Sequence, residues 1–203
     1  LKQALGVPWE NHKDIARYRK DLSEEAFASA FKFTVVRNPW DRLVSEYRFQ
    51  TRIGRRRAER LHAVDGNGRK RNFEDWVKTV FNDPMAYEPR TWGGTVSPGI
   101  HRWSPQVDWV APEGKLMVDM AIRFEEFEES LGALSAKLGR PIPPPGHEKR
   151  MIRRSYPEYY TPELRDLVGD YYAEDIRTFD YTYDSNAKRP ASAWERLINP
   201  LTK

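Results

Sequence analysis

The segment FKFTVVRNPWDRLVSEY, residues 31–47, restricts the fold more than any other, because it demands a strand that passes directly into a helix. Residues 31–36 are aromatic and β-branched without helical spacing, the pattern of a short strand buried on both faces. Arg37 ends it. Asn38 then suits an N-cap, Pro39 suits the first helical position where its missing amide costs nothing, and Asp41 stands three residues after the cap. Trp40, Leu43, Val44 and Tyr47 follow at i, i+3, i+4 and i+7, which makes one apolar stripe facing a core.

The same grammar recurs along the chain. Residues 116–122 predict a second strand, followed by Arg123 and a helix with Phe127, Leu131, Leu134 and Leu138 on one side, stopped by Gly139 and the proline run 141–145. Ser23 caps a helix opened by Glu24 and Glu25, and Asn72 caps one carrying Phe73, Trp76, Val77, Val80 and Phe81. A last helix begins at Thr161 and Pro162, with Leu164, Leu167, Val168, Tyr171, Tyr172, Ile176 and Phe179 as its stripe. Residues 1–6 read as the tail of a helix that stops at Gly6, and 84–112 as irregular. Strands alternating with helices, without an internal repeat, predict an α/β domain with a parallel sheet flanked by helices. Leu, Ile, Val and Phe make up only about a fifth of the chain, near the edge of disorder. Aromatics at 13% and a net charge of +4 favour a packed chain, and 203 residues fit one domain.

Composition also removes whole classes of chemistry. With no cysteine, disulfide scaffolds, zinc fingers, iron–sulfur ligation and thiol nucleophiles are excluded. His12, His62, His101 and His147 show no metal-site spacing, so no metal is expected. No stretch approaches the ~18 apolar residues of a membrane span. No leader is visible, and a cytoplasmic location is expected. Residues 52–71 hold seven Arg and one Lys against Glu59 and Asp65, with Gly54, Gly66 and Gly68, and read as a mobile basic insertion. Arg55, Arg56 and Arg57 at its centre could gather a polyanionic acceptor, although a run of charge is more often a solvated face.

Ligands of parallel α/β sheets bind at the carboxyl ends of strands, and helix N-termini favour anions, so the junction at Arg37 and Asn38 is the candidate binding site. Ser45 lies seven residues past the cap, about 10 Å up the helix, on the face of Asn38 and Asp41. An anion touching both Arg37 and Ser45 would lie beside the first two turns, held by the planar fork of the one and the hydroxyl of the other. The competing reading pairs Arg37 with Asp41 and leaves Ser45 solvated.

RNPWDRLVSEY resembles the 3′-phosphate-binding motif of sulfotransferases that use 3′-phosphoadenosine 5′-phosphosulfate (PAPS), in the branch holding carbohydrate sulfotransferases and their bacterial relatives. VDMAIRFEEFEESL is similar to that branch's strand and helix with Arg-Phe-Glu, WSPQVDWV to the stretch preceding it, and YYTPELRDLVGDYYAEDIRTFDY to its closing helix. These matches run in the family's order over residues 11–183. The resemblance implies a nucleotide-kinase-like sulfotransferase fold, PAPS as co-substrate without a metal, and Arg37 and Ser45 on the 3′-phosphate. It implies that Arg153 and Arg154, with Lys149 and Arg150, flank the nucleotide. The family's glycine loop with Lys-Thr, which cradles the 5′-phosphosulfate, is not found in this sequence. By the resemblance it would fall upstream of residue 1, so residues 1–203 are expected to be one sulfotransferase domain that is incomplete at its N-terminus. Gly93-Gly94-Thr95 has no preceding strand and no adjoining Lys, and reads as a loop turn.

Sulfuryl transfer is an in-line displacement that requires alignment, cationic stabilisation of the leaving oxygen and a base for the acceptor's proton. His12, in NHKDIARYRKDL, lies in a segment similar to one where relatives carry a His near the acceptor, which implies that it is the base. His101, in GIHRWSPQVDWV, is second, beside Trp and Pro residues that suggest a shaped wall. Glu125 could orient a basic residue or simply open a helix. The expected acceptor is a hydroxyl of a glycan or another molecule, anionic if the basic insertion takes part. The alternatives are a nucleic-acid-binding module, which the absence of any recognised motif disfavours, and a P-loop phosphotransferase, which a GxxxxGK[ST] loop would distinguish.

Overall fold

The computed structural model describes residues 13–52, 62–82, 100, 103–143 and 155–184. Two short helices, α1 (Ile15–Asp21) and α2 (Glu24–Ser29), lead into β1 (Phe33–Val36) and α3 (Pro39–Gln50). Then come α4 (Phe73–Asn82), α5 (Val107–Val110), β2 (Met120–Arg123), α6 (Phe127–Leu138), α7 (Pro162–Tyr171) and α8 (Ala173–Phe179). β1 and β2 pair in parallel, Phe33 opposite Met120 and Val36 opposite Arg123, and helices pack on both faces, so the fold is α/β.

The pleat of β2 assigns those faces. Met120 and Ile122 pack with Leu131, Leu134 and Ile142 on the α6 side. Ala121, pointing the opposite way, joins Val36, Ile15, Val107, Val110, Phe179 and Tyr181. A third cluster lies beyond the strand ends, where Trp40, Leu43 and Val44 of α3 meet Phe73, Trp76, Val77 and Val80 of α4 and Leu164 and Val168 of α7. Gly169 lets α7 approach α3 closely, since a Cβ there would stand 3.2 Å from the Trp40 ring. The Trp40 indole N–H donates to the Arg165 carbonyl at 2.9 Å, and the Tyr160 hydroxyl donates to the Trp40 carbonyl at 2.9 Å.

The helix ends follow the sequence. Ser23 Oγ accepts from Ala26 N–H, Thr161 Oγ1 from Leu164 N–H, and Asn72 Oδ1 from Asp75 N–H. Gly139 closes α6 at φ 65°, a left-handed backbone that favours glycine.

Four expectations are corrected. β1 is not buried on both faces: Val35 is 39% exposed and only Val36 is fully enclosed. The second strand starts at Met120 rather than 116, because Asp119 turns its carboxylate onto the Lys32 N–H at 2.7 Å and its own N–H onto the Lys32 carbonyl at 2.7 Å. The closing helix bends at Tyr172 into α7 and α8; the hydrogen bonds from Tyr172 to Val168 and from Ile176 to Tyr172 persist across the bend, and Leu167 is left exposed. Within the basic insertion, 62–71 is a tight hairpin instead of a mobile loop, with a Val64–Lys70 bridge, Ala63 and Val64 buried, and Asp65 accepting from the N–H groups of Asn67 and Arg69. The helix read at 1–6, the glycine turn at 93–95 and the remainder of the insertion, 53–61, lie outside the described residues. Within the irregular stretch, 107–110 forms the short helix α5.

Candidate functional site

Arg37 stands at the carboxyl end of β1, one residue past the last strand pair. Its Nε and Nη2 both reach Asp41 Oδ2, each at 2.7 Å, and its guanidinium carbon lies 4.7 Å from the centre of the Phe124 ring. Phe124 is 52% exposed, so the ring is a platform with the cation on it rather than part of the core. The Asp41 pair occupies one edge of the fork and leaves Nη1 with no partner among the described residues. Ser45, half-buried one turn beyond Asp41, makes no side-chain hydrogen bond among the described residues. The ion pair of the competing reading is therefore present, and donors remain on both residues.

Asn38 caps the helix as the sequence predicts, and the cap limits what the helix N-terminus can offer an anion. Asn38 Oδ1 accepts from Trp40 N–H at 3.0 Å and Asp41 N–H at 3.4 Å, Pro39 has no N–H, and Arg42 N–H already closes the first helical bond to the Asn38 carbonyl. The first-turn amides are thus engaged, and an anion here depends on side chains. Nor does Asp41 complete a capping box. The Asn38 N–H donates instead to Glu125 Oε1 at 2.7 Å, while Asp41 turns to Arg37.

Arg-Phe-Glu acts as three separate supports for this junction. Arg123, buried, donates through Nη2 to the carbonyls of Phe179 and Asp180 and lies over the Tyr181 ring. Phe124 carries the Arg37 guanidinium. Glu125 holds the Asn38 N–H on one oxygen and the Tyr181 hydroxyl on the other, at 3.1 Å. It is more than a helix-opening acid, and among the described residues it bonds no basic side chain. Burial first, and the Glu125 charge second, push the Tyr181 phenol far above its ordinary value, so it stays a donor.

Sequence reasoning missed Gln106 and Asp175. Gln106 Oε1 accepts from the Arg37 N–H at 2.8 Å and its Nε2 donates to the Arg37 carbonyl at 2.9 Å. Asp175 accepts from Gln106 N–H, Gln106 Nε2 and Val107 N–H at 2.8, 3.1 and 2.9 Å. Burial pushes the Asp175 carboxyl up, and the N–H groups of Gln106 and Val107 draw it back toward the ionised form. Proximity in space to Arg37 was the only signal, and a sequence does not display it across 69 positions.

His12, His101, Arg55, Arg56, Arg57, Arg153 and Arg154 lie outside the described residues. Among the described residues no group of three His, Asp or Glu side chains could hold a metal ion, and no helix is long and apolar enough to cross a membrane.

A profile of the sulfotransferase family matches residues 7–182, most of the chain and all of the elements above. No curated protein and no solved structure matches. The chain belongs to the sulfotransferase family, transferases that move a sulfuryl group to a hydroxyl-bearing acceptor.

Proposed function

We propose that this chain transfers the sulfuryl group of PAPS to a carbohydrate hydroxyl, and that Arg37 and Ser45 bind the 3′-phosphate of the nucleotide. The observation that carries the reading is the Arg37 guanidinium at the strand end, seated on Phe124 and Asp41 with Nη1 still available. A seated guanidinium loses less freedom on binding than a solvated one, and charge-assisted bonds to phosphate are among the strong ones. Ser45 adds a neutral donor that costs no charge desolvation.

In the reaction the acceptor oxygen attacks sulfur as the bond from sulfur to the 5′-phosphate oxygen breaks. The acceptor's proton passes to a base, and 3′-phosphoadenosine 5′-phosphate leaves. Arg37 and Ser45 act by fixing the nucleotide so that the reacting centre is aligned. His12 is our candidate base, with His101 second; Arg153 and Arg154 are assigned to the nucleotide, and Arg55, Arg56 and Arg57 to an anionic acceptor. In an active form of the enzyme, His12→Ala should cut turnover by the ~10²- to 10⁴-fold of a lost general base with nucleotide affinity unchanged. Unchanged turnover would pass the role to His101.

Calorimetric titration with 3′-phosphoadenosine 5′-phosphate tests the binding assignment. Arg37→Ala should weaken affinity by roughly 1.5–3 kcal/mol, the scale of a hydrogen bond to a charged group. Equal affinity in both chains would remove Arg37 from the site.

A further inference from the structure

The strand pairing ends at Val36 opposite Arg123, so the N–H and C=O of Arg37 have no ladder partner. Both are nonetheless satisfied, by a single side chain. The Gln106 amide lies against the Arg37 peptide groups as a neighbouring strand would, accepting at 2.8 Å and donating at 2.9 Å. A flipped amide would set N–H against N–H and oxygen against oxygen, so the contacts dictate its orientation.

Gln106 has no freedom to leave. Its second amide hydrogen goes to Asp175 Oδ2 at 3.1 Å, and its backbone N–H goes to the same oxygen at 2.8 Å. Asp175 is fully buried on α8 and its other oxygen accepts from Val107 N–H at 2.9 Å. A chain of hydrogen bonds therefore runs from α8, through the start of α5, to the residue at the end of β1. A packed apolar contact tolerates shifts of several tenths of an ångström. This arrangement does not, because each bond is directional and each buried group would otherwise be orphaned.

We propose that Gln106 and Asp175 are positioning residues for the nucleotide site: Asp175 fixes Gln106, and Gln106 fixes the Arg37 backbone so that the guanidinium is aimed at the 3′-phosphate. This rests on the reading that Arg37 binds that phosphate. Neither residue touches the ligand; both act through Arg37. The closing helix is thereby coupled to nucleotide selection.

The test compares affinities for 3′-phosphoadenosine 5′-phosphate and adenosine 5′-phosphate, whose ratio isolates the 3′-phosphate. It is measured on the unsubstituted chain, Arg37→Ala, Gln106→Leu, Asp175→Asn and the remote core variant Val80→Ala. Gln106→Leu and Asp175→Asn should lower the ratio by about tenfold or more, and Gln106→Leu should add nothing to Arg37→Ala, since both remove one function. Val80→Ala should lose stability and keep the ratio. A ratio preserved in Gln106→Leu but lost in Arg37→Ala overturns the positioning role alone. A ratio preserved in Arg37→Ala, or no nucleotide binding by the unsubstituted chain, overturns the underlying reading and this proposal with it. If Gln106→Leu does not fold, Asp175→Asn decides by the same ratio. If neither folds, hydrogen exchange decides: the Arg37 amide in the unsubstituted chain should be protected like the strand amides, and rapid exchange there contradicts the clamp.

Discussion

The two ends of α3 are held by different physics. At the Arg37–Asn38 junction before its N-terminal end the backbone is held by directed hydrogen bonds: Glu125 on the Asn38 N–H, Gln106 on both the N–H and the carbonyl of Arg37, and Asn38 Nδ2 donating to the Thr182 carbonyl at 3.1 Å. At its C-terminal end Tyr47 meets the rings of Phe73, Trp76 and Tyr159, and the buried Gln50 accepts from the Trp76 indole N–H at 3.0 Å. Aromatic burial supplies stability in proportion to area and specifies position loosely. The polar end contributes less stability and defines a geometry. One helix can therefore carry a binding residue at one end and anchor the domain at the other.

The buried tyrosines of the third cluster, packed along α3, should set its alkaline limit. Burial pushes the Tyr156 phenol up to about 12 from 10.0, and those of Tyr160 and Tyr172 well above their ordinary value. A raised folded-state value means that stability is fully present below about pH 10 and is lost as pH rises through the folded values. Phenolate absorbance from these tyrosines should therefore rise together with loss of the near-ultraviolet dichroism. Complete ionisation in a chain that keeps its dichroism would contradict their burial.

Trp76→Ala removes the centre of the same region and should cost about 3–5 kcal/mol by urea unfolding, with the nucleotide ratio of the folded chain retained. Loss of the ratio would show that the two ends are not independent. Gln50→Leu should cost about 1–3 kcal/mol, because it strands the Trp76 N–H without its acceptor. A neutral result would mean that water replaces the amide. Thr161→Ala, which removes the α7 cap, should cost about 1 kcal/mol. Arg37→Ala should shift stability least, by no more than about 0.5 kcal/mol, since its partly exposed pair with Asp41 is four residues apart on one helix start. A larger loss would make Arg37 structural.

Local chemistry made part of this legible in the sequence. Asn38-Pro39, Thr161-Pro162 and Gly139 mark helix ends because their effects are confined to one turn, and all three act as expected. The sheet was legible as two apolar runs, but its trimmed second strand was not, because the Asp119 carboxylate meets Lys32 across 87 positions. At the candidate site, Arg37 and Ser45 could be singled out by their place on a strand end and a helix face. Their surroundings could not. Phe124 is exposed beneath a cation, Asp175 is fully buried, and Gln106 reaches Arg37 across 69 positions. Long-range polar pairing leaves no periodicity in a sequence, and such pairing builds this end of α3.

The most direct measurement is a crystal structure of the chain with 3′-phosphoadenosine 5′-phosphate. The account predicts 3′-phosphate oxygens within hydrogen-bonding distance of Arg37 Nη1 and Ser45 Oγ, with Gln106 still on the Arg37 backbone. A nucleotide bound elsewhere, or a 3′-phosphate that touches neither side chain, would contradict it.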